Sequence, residues 1–444
     1  MSEKKVVTRF APSPTGFPHL GTAMYALLNY IYARQNDGEV IMRSEDTDPV
    51  RSKKEYEEAI KEGLAWIGIK SDTFYRQSER TDIYKRYIAK MVEEKTAYIS
   101  RETNEEGVTR DVVRFKNPNK VITFHDMARG DISVDTTDLK DFVIARDLES
   151  PLYHLTAVVD DYEMGVTHII RGEDGLANTP RQILIQEAIG AERPIYAHYP
   201  FVLMSNRQKM GKRNGAISLQ DYIKQGYLPE AIVNFIILLV WHPKNDRELF
   251  TLTDLIAEFE LERIGKSGAI LDEKKLDWLN REYLKKLPPE EIEKNILEWL
   301  PKEPLNMKDP RLVPMIFERI SKWSDVTTMA IAGEFDFFFK APKIEKTKLI
   351  YKDTIPEKIK ENINLAIETL QKIDENNFIL ENIKNNLMFI ADNLPSRGEG
   401  RGSFLHPIRY ALSGRDKSPD PFTIAGILGK NETISRLQKA VEME

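Results

Sequence analysis

The segment from Arg9 to Gly21 reads R-F-A-P-S-P-T-G-F-P-H-L-G. Two prolines and a glycine in Pro12-Ser13-Pro14-Thr15-Gly16 forbid regular structure, so a rigid turn delivers His19 to the start of a helix. Free N–H groups and the positive dipole end favour phosphate there, and Gly21 lets a ligand approach the backbone closely. A histidine in that place also serves as a plain cap; the thirteen-residue string is the more specific signal. A second segment, Lys209-Met210-Gly211-Lys212-Arg213, sets three cations in a polar loop. Such a run is usually solvated surface, but beside the ligand edge of a sheet its lysines can follow charge developing on a phosphate. A third set is scattered: Glu45 in Glu45-Asp46-Thr47-Asp48, Arg171-Gly172-Glu173-Asp174, and Tyr153-His154. Taken singly, the arginine suits a packing ion pair and the acidic run suits a helix cap or a cation site.

Several other chemistries are excluded. A Walker A loop needs glycine five positions before Gly265-Lys266-Ser267, and Glu260 stands there. The seven histidines lack His-Glu-x-x-His spacing, and neither G-x-G-x-x-G nor G-x-S-x-G occurs. The 444 residues contain no cysteine, which removes disulfides, thiolate nucleophiles and Cys-ligated zinc and suits a reducing, cytoplasmic compartment. With 64 Lys and Arg against 70 Asp and Glu, the net charge is -6, so any nucleic-acid site must be a local basic face. From Asp325 to Glu444 there are 17 basic and 18 acidic residues, and the same holds for that tail. The longest apolar stretch, Ala231 to Trp241, is about half of the roughly 20 residues that cross a bilayer, so no membrane span is expected.

The elements that must position these groups follow from periodicity. Val6 to Phe10 reads as a buried strand stopped by the proline turn, and a helix is expected from Thr22 to Gln35, ending at Asn36-Asp37-Gly38. A strand over Glu39–Arg43 comes next, and Asp48 before Pro49 predicts an N-cap that opens a helix with Tyr56, Ile60 and Leu64. This alternation predicts an α/β fold with a doubly wound parallel sheet, whose ligands sit at the carboxyl ends of the strands. Short alternating runs between Ala97 and Glu149 predict a small antiparallel insert; strands at Val166–Arg171 and Ile195–Met204 then flank a helix over Thr179–Ile189. The remainder is mostly helical, and Pro288-Pro289-Glu290-Glu291 marks a helix start and a domain seam.

Together with Tyr75 to Arg80 (Y-R-Q-S-E-R), Val158 to Asp161 (V-V-D-D), Ile169 to Asp174 (I-I-R-G-E-D), Leu276 to Asn280 and Ala411 to Arg415, these strings resemble bacterial-type glutamyl-tRNA synthetases over essentially the whole chain. The first and second segments resemble the two signature motifs of class I synthetases. The resemblance implies a Rossmann-like catalytic domain in two halves, 1–96 and 153–206, split by an acceptor-binding α+β insert at 97–152. A stem-contact region at 207–287 and a helical anticodon-binding domain at 288–444 would follow. It implies that His19, Gly21 and Glu173 meet ATP, with Lys209 and Lys212 holding its phosphates. Arg9 and Arg171 would bind the glutamate side-chain carboxylate with Tyr153, and Ser13 and Glu45 its α-carboxylate and α-amino end. ATP with Mg2+, L-glutamate and tRNA(Glu) are the implied cofactors and partners, with no zinc and no membrane, and a monomer is expected.

Four positions depart from the family pattern. Thr22 and Gly211 replace a histidine and a serine in the signature motifs, Ala157 stands where some members carry asparagine, and the insert is short between Tyr98 and Val112. The open alternatives are a form that also charges tRNA(Gln), a glutaminyl-tRNA synthetase, and a non-catalytic tRNA-binding relative. The glutaminyl enzyme would be expected to carry a different first motif and a β-barrel C-terminal half.

Overall fold

The computed structural model describes residues 5–103, 107, 109–204, 208, 217–302, 307–352, 354–394 and 400–443. The chain divides into two units, Met1–Tyr283 and Leu284–Glu444.

The first unit begins β1 (Val7–Phe10), α1 (Leu20–Gln35), β2 (Glu39–Ser44), α2 (Lys54–Trp66), β3 (Thr73–Arg76) and α3 (Thr81–Glu93). Five strands follow: β4 (Ala97–Thr103), β5 (Thr109–Phe115), β6 (Val121–Asp126), β7 (Gly130–Asp135) and β8 (Phe142–Ala145). Then come α4 (Tyr153–Glu163), β9 (His168–Gly172), α5 (Thr179–Ile189), β10 (Ile195–Tyr199) and β11 (Val202–Leu203). The unit closes with α6 (Leu219–Lys224), α7 (Pro229–Leu238), α8 (Leu252–Glu258), β12 (Ala269–Ile270) and α9 (Glu273–Leu284), whose last residue lies across the division.

Among the described residues the main sheet has seven strands in the order β3-β2-β1-β9-β10-β6-β7, with every neighbouring pair parallel except the β6–β7 hairpin. The strand order reverses between β1 and β9, the place where open α/β sheets bind ligands. The central strands are covered on both faces, and β1, β2, β9 and β10 are almost wholly buried, polar residues included. Phe10, Met42, Ile170 and Ala197 enter one core with residues of α1, α6, α7 and α8; Ile41, Ile169 and Tyr196 enter another with α3, α4 and α5. Because side chains alternate along a strand, Arg9, Arg43, Arg171 and His198 share the second face, at the carboxyl ends of β1, β2, β9 and β10.

Several expectations need correction. The helix expected to open at Asp48 starts at Lys54. Asp48 caps a separate turn, accepting from the N–H groups of Val50 and Arg51 at 3.1 Å each. The strand expected over Ile195–Met204 is two strands, broken where Pro200 supplies no N–H. The antiparallel insert is not one piece: β4, β5 and β8 form their own sheet, whereas β6 and β7 extend the parallel sheet beside β10. The helix over Thr179–Ile189 lies where the periodicity places it.

The second unit is helical among its described residues: α10 (Pro289–Trp299), α11 (Val313–Phe317), α12 (Ser324–Ile331), α13 (Asp336–Phe339), α14 (Pro356–Gln371), α15 (Leu380–Asn393), α16 (Gly400–Ser413), α17 (Pro421–Leu428) and α18 (Lys430–Glu442). Its core gathers Ile363, Leu370, Leu387, Phe404, Ile408, Ile424 and Leu437. The Ala411–Arg415 string is the end of α16: Ala411 and Leu412 are buried, and Gly414 takes the left-handed conformation at φ 63° that stops the helix. No helix among the described residues is long and apolar enough to cross a membrane.

Candidate functional site

The proline turn is fixed from both sides. Pro12 accepts from the Glu45 N–H at 3.0 Å and Pro14 from the Lys53 N–H at 3.0 Å, so the turn after β1 is tied to the loop after β2. His19 is the N-cap of α1, and its Nδ1 accepts from the Gly21 N–H at 3.1 Å. An accepting Nδ1 leaves the ring proton on Nε2, as a hydrogen-bond donor at the helix N-terminus. Thr22, in the position of a family histidine, completes a capping box: its Oγ1 accepts from the His19 N–H at 3.4 Å. The histidine is therefore both a cap and an oriented donor.

Arg9 is buried; its Nε donates to Asp161 Oδ1 at 3.2 Å and its Nη1 to the Tyr25 hydroxyl at 2.9 Å. Arg43, fully buried, donates from Nη1 to the same Asp161 oxygen at 2.7 Å and from Nη2 to Glu45 at 3.2 Å. Burial alone would raise the Asp161 pKa, but Arg9 and Arg43 outweigh it and hold it below the ordinary aspartate range. Burial dominates at Glu45, whose pKa is raised although Arg43 and Arg9 oppose the shift. A raised value beside two guanidinium groups marks an under-compensated carboxylate, which an incoming cation would stabilise.

Arg171 is also buried. Its Nε meets His198 Nε2 at 3.0 Å, and its Nη2 donates to Gly175 O, Thr179 Oγ1 and Gln182 Oε1 at 3.1, 2.9 and 2.7 Å. Nη1 is buried without a partner. Arg9 Nη2 likewise makes no hydrogen bond among the described residues. Two guanidinium nitrogens on adjacent strands are thus left for a ligand, and planar guanidinium groups match a carboxylate.

A cavity of about 490 Å³ brings together Arg9, Ser13, His19, Gly21, Glu45, Tyr153 and Arg171. Tyr153, at the first turn of α4, is 43% exposed, and burial of its hydroxyl region together with Glu45 raises its pKa. Ser13 is exposed on the turn. Glu173 does not border the cavity: Oε2 accepts from Arg129 at 2.5 Å and Oε1 from the Phe201 N–H at 2.8 Å. Lys209 and Lys212 lie outside the described residues.

Sequence reasoning missed Arg43 and the work of the V-V-D-D string. Asp161 joins Arg9 to Arg43, and Asp160 accepts from Gln77, Arg80 and Tyr84 at 2.9, 2.7 and 2.8 Å. The Y-R-Q-S-E-R string is a row of clamps: Arg76 grips Glu57, Gln77 and Arg80 grip Asp160, and Ser78 donates to Asp46 from both N and Oγ. Adjacent aspartates on a helix over a parallel sheet were the available signal.

Family models match the chain on both sides of its division. The model described as tRNA synthetases class I (E and Q), catalytic domain, matches residues 5–108 and 108–278, and an anticodon binding domain model matches 255–441. A glutamate–tRNA ligase 1 of Petrotoga mobilis is 38% identical, over 98% of this chain and 97% of its own. The glutamate–tRNA ligase of Aquifex aeolicus is 42% identical, over 71% and 74% respectively. A solved glutamate tRNA ligase from Elizabethkingia meningosepticum, in complex with its amino acid, superposes with a TM-score of 0.86 at 31% identity, covering 99% of this chain and 100% of that one.

Proposed function

The chain belongs to the glutamate–tRNA ligase family of class I tRNA synthetases, and on that premise we propose that it ligates L-glutamate to the 3′ end of tRNA(Glu) through a glutamyl-adenylate. A glutamate α-carboxylate oxygen attacks the α-phosphorus of ATP and the bond to the β-phosphate breaks, releasing pyrophosphate. A terminal ribose hydroxyl of tRNA then attacks the activated carbonyl and AMP leaves. No protein nucleophile takes part, so a chain without cysteine loses nothing.

The observation that carries this reading is the pair of unengaged guanidinium nitrogens, Arg9 Nη2 and Arg171 Nη1, in a cavity that also holds the under-compensated Glu45. In our assignment the arginines and Tyr153 take the γ-carboxylate, Glu45 the ammonium, and Ser13 the α-carboxylate. A neutral amide in place of the γ-carboxylate leaves the arginines imperfectly paired, a loss of about 1 to 3 kcal/mol or more, which favours glutamate over glutamine. The Nε2–H of His19, the α1 N-terminus and Gly21 face the ATP phosphates, and Lys209 and Lys212 gather charge as pyrophosphate forms. Glu173, engaged by Arg129 and Phe201, orders the loop after β9. ATP would enter as its magnesium complex, Mg2+ being commonly held by phosphates with few protein ligands.

We assign the acceptor end of tRNA to 97–152, its stem to 207–287 and the anticodon to 288–444, in a cytoplasmic monomer. Replacing Arg171 by alanine tests the pocket: Arg171→Ala is expected to abolish glutamate use while ATP still binds. Unchanged glutamate kinetics would overturn the assignment. On the tRNA side, purified tRNA(Glu) and tRNA(Gln) offered separately show whether charging extends beyond tRNA(Glu).

A further inference from the structure

His198 and Arg171 are register partners on the parallel strands β10 and β9, and both point to the face covered by α4 and α5. Since Arg171 Nε can only donate, His198 Nε2 must accept, and the ring must carry its proton on Nδ1. Nδ1 lies 2.6 Å from Asp126 Oδ2. The other oxygen of Asp126 is engaged by the backbone N–H groups of Ala128, Arg129 and His198 at 3.0, 2.9 and 3.2 Å, so this carboxylate is anchored and cannot turn. Both His198 and Asp126 are completely buried. Asp126 is the last residue of β6, and it reaches His198 because the β6–β7 hairpin joins the parallel sheet beside β10.

We propose that His198, held in its Nδ1–H tautomer by Asp126, is a positioning residue that fixes the Arg171 guanidinium so that Nη1 alone is left for the substrate carboxylate. The inference rests on the glutamate pocket proposed above. In the other tautomer Nε2–H would face Nε–H, donor against donor: Thr179 Oγ1, 3.2 Å from Nε2, could take the histidine proton, but Arg171 Nε would lose its acceptor and only the Nη2 contacts would hold the guanidinium. Burial first, and then the nearby Arg171, keep the His198 pKa below the ordinary histidine value against the pull of Asp126, so the ring is neutral as the geometry requires.

The test is a charging assay on the full-length protein with ATP, glutamate and tRNA(Glu), measuring KM for glutamate and for ATP separately. His198→Leu, which has no acceptor, is expected to raise the glutamate KM by about tenfold or more with the ATP KM within about twofold of wild type. His198→Gln can accept from Arg171 and donate to Asp126, and is expected to recover most of that loss. Asp126→Asn, which invites the wrong tautomer, is expected to behave like His198→Leu. Equal changes in both KM values, a glutamine variant no better than the leucine one, or an unchanged leucine variant would each overturn the proposal. Should His198→Leu fail to fold, the other two variants decide: a near-normal His198→Gln with an impaired Asp126→Asn supports the proposal, and any other pattern overturns it. Arg171→Ala, assayed in parallel, separates the two readings: if it keeps its glutamate KM the pocket is wrong, whereas if it loses glutamate use and the His198 variants do not, the positioning role alone is wrong.

Discussion

The Nε of Arg9 donates to Asp161, 152 residues further along the chain, at 3.2 Å, and Asp161 passes the same oxygen on to Arg43. One carboxylate thus balances two buried guanidinium groups on neighbouring strands. Asp161→Asn leaves both cations sharing a neutral amide, and breaking a buried pair in this way costs about 3 kcal/mol. Glu45 becomes the nearest remaining counter-charge and is drawn away from an incoming ammonium. The expected outcome is lower stability in urea unfolding together with a raised glutamate KM at unchanged ATP KM; a variant as stable as wild type would show that Asp161 does not balance the pair.

Gly175 makes room for Arg171. A Cβ there would collide with Arg171 Nε and lie 2.6 Å from Cδ, and the arginine is held in place by four hydrogen bonds. Gly175→Ala is therefore expected to displace the guanidinium and lower kcat/KM for glutamate by about tenfold or more, with ATP binding retained. Calorimetry with ATP alone checks the retained half of that statement.

Glu57 supplies a pH signature outside the cavity. Burial would raise its pKa, but the hydrogen bonds from Arg76 and Lys61 overcome this and lower it to about 2. A depressed carboxylate contributes stability that is complete above its unfolded value of about 4.3 and lost as pH falls through the folded value. Arg76 and Lys61 are each about one-third exposed, so with solvent screening the contribution is about 2 kcal/mol. The stability gap between wild type and Glu57→Gln should be constant from pH 7 to about pH 5 and close toward pH 2. A gap that widens on acidification would contradict the Arg76 pairing.

How much of this was legible in the sequence follows from which forces are local. The helix over Thr179–Ile189 and the delivery of His19 to a helix start follow from Pro180, Gly190 and the proline turn, all near neighbours in the chain. Arg43 was invisible because nothing local marks an arginine in an apolar strand; its partner Asp161 lies 118 residues away. The same is true of β6, whose alternating pattern announces a strand but not which sheet it joins. Asp48 before Pro49 did signal a cap, for a turn instead of a helix.

Lys212 is expected to act as charge accumulates on the leaving pyrophosphate rather than in the ground-state complex. Lys212→Ala should lower kcat far more than it raises the KM for ATP. Steady-state kinetics with ATP varied at saturating glutamate and tRNA decide the matter, and a change confined to KM would make Lys212 a binding residue.

The central claim is that Arg9 and Arg171 select a carboxylate side chain for attachment to tRNA. The most direct measurement is the attachment of labelled glutamate, and separately of labelled glutamine, to purified tRNA(Glu) by the wild-type protein with ATP. Glutamate should be attached, with AMP and pyrophosphate released, and glutamine should be used at least about tenfold less efficiently in kcat/KM. Equal use of both amino acids, or no attachment of glutamate, would contradict the account.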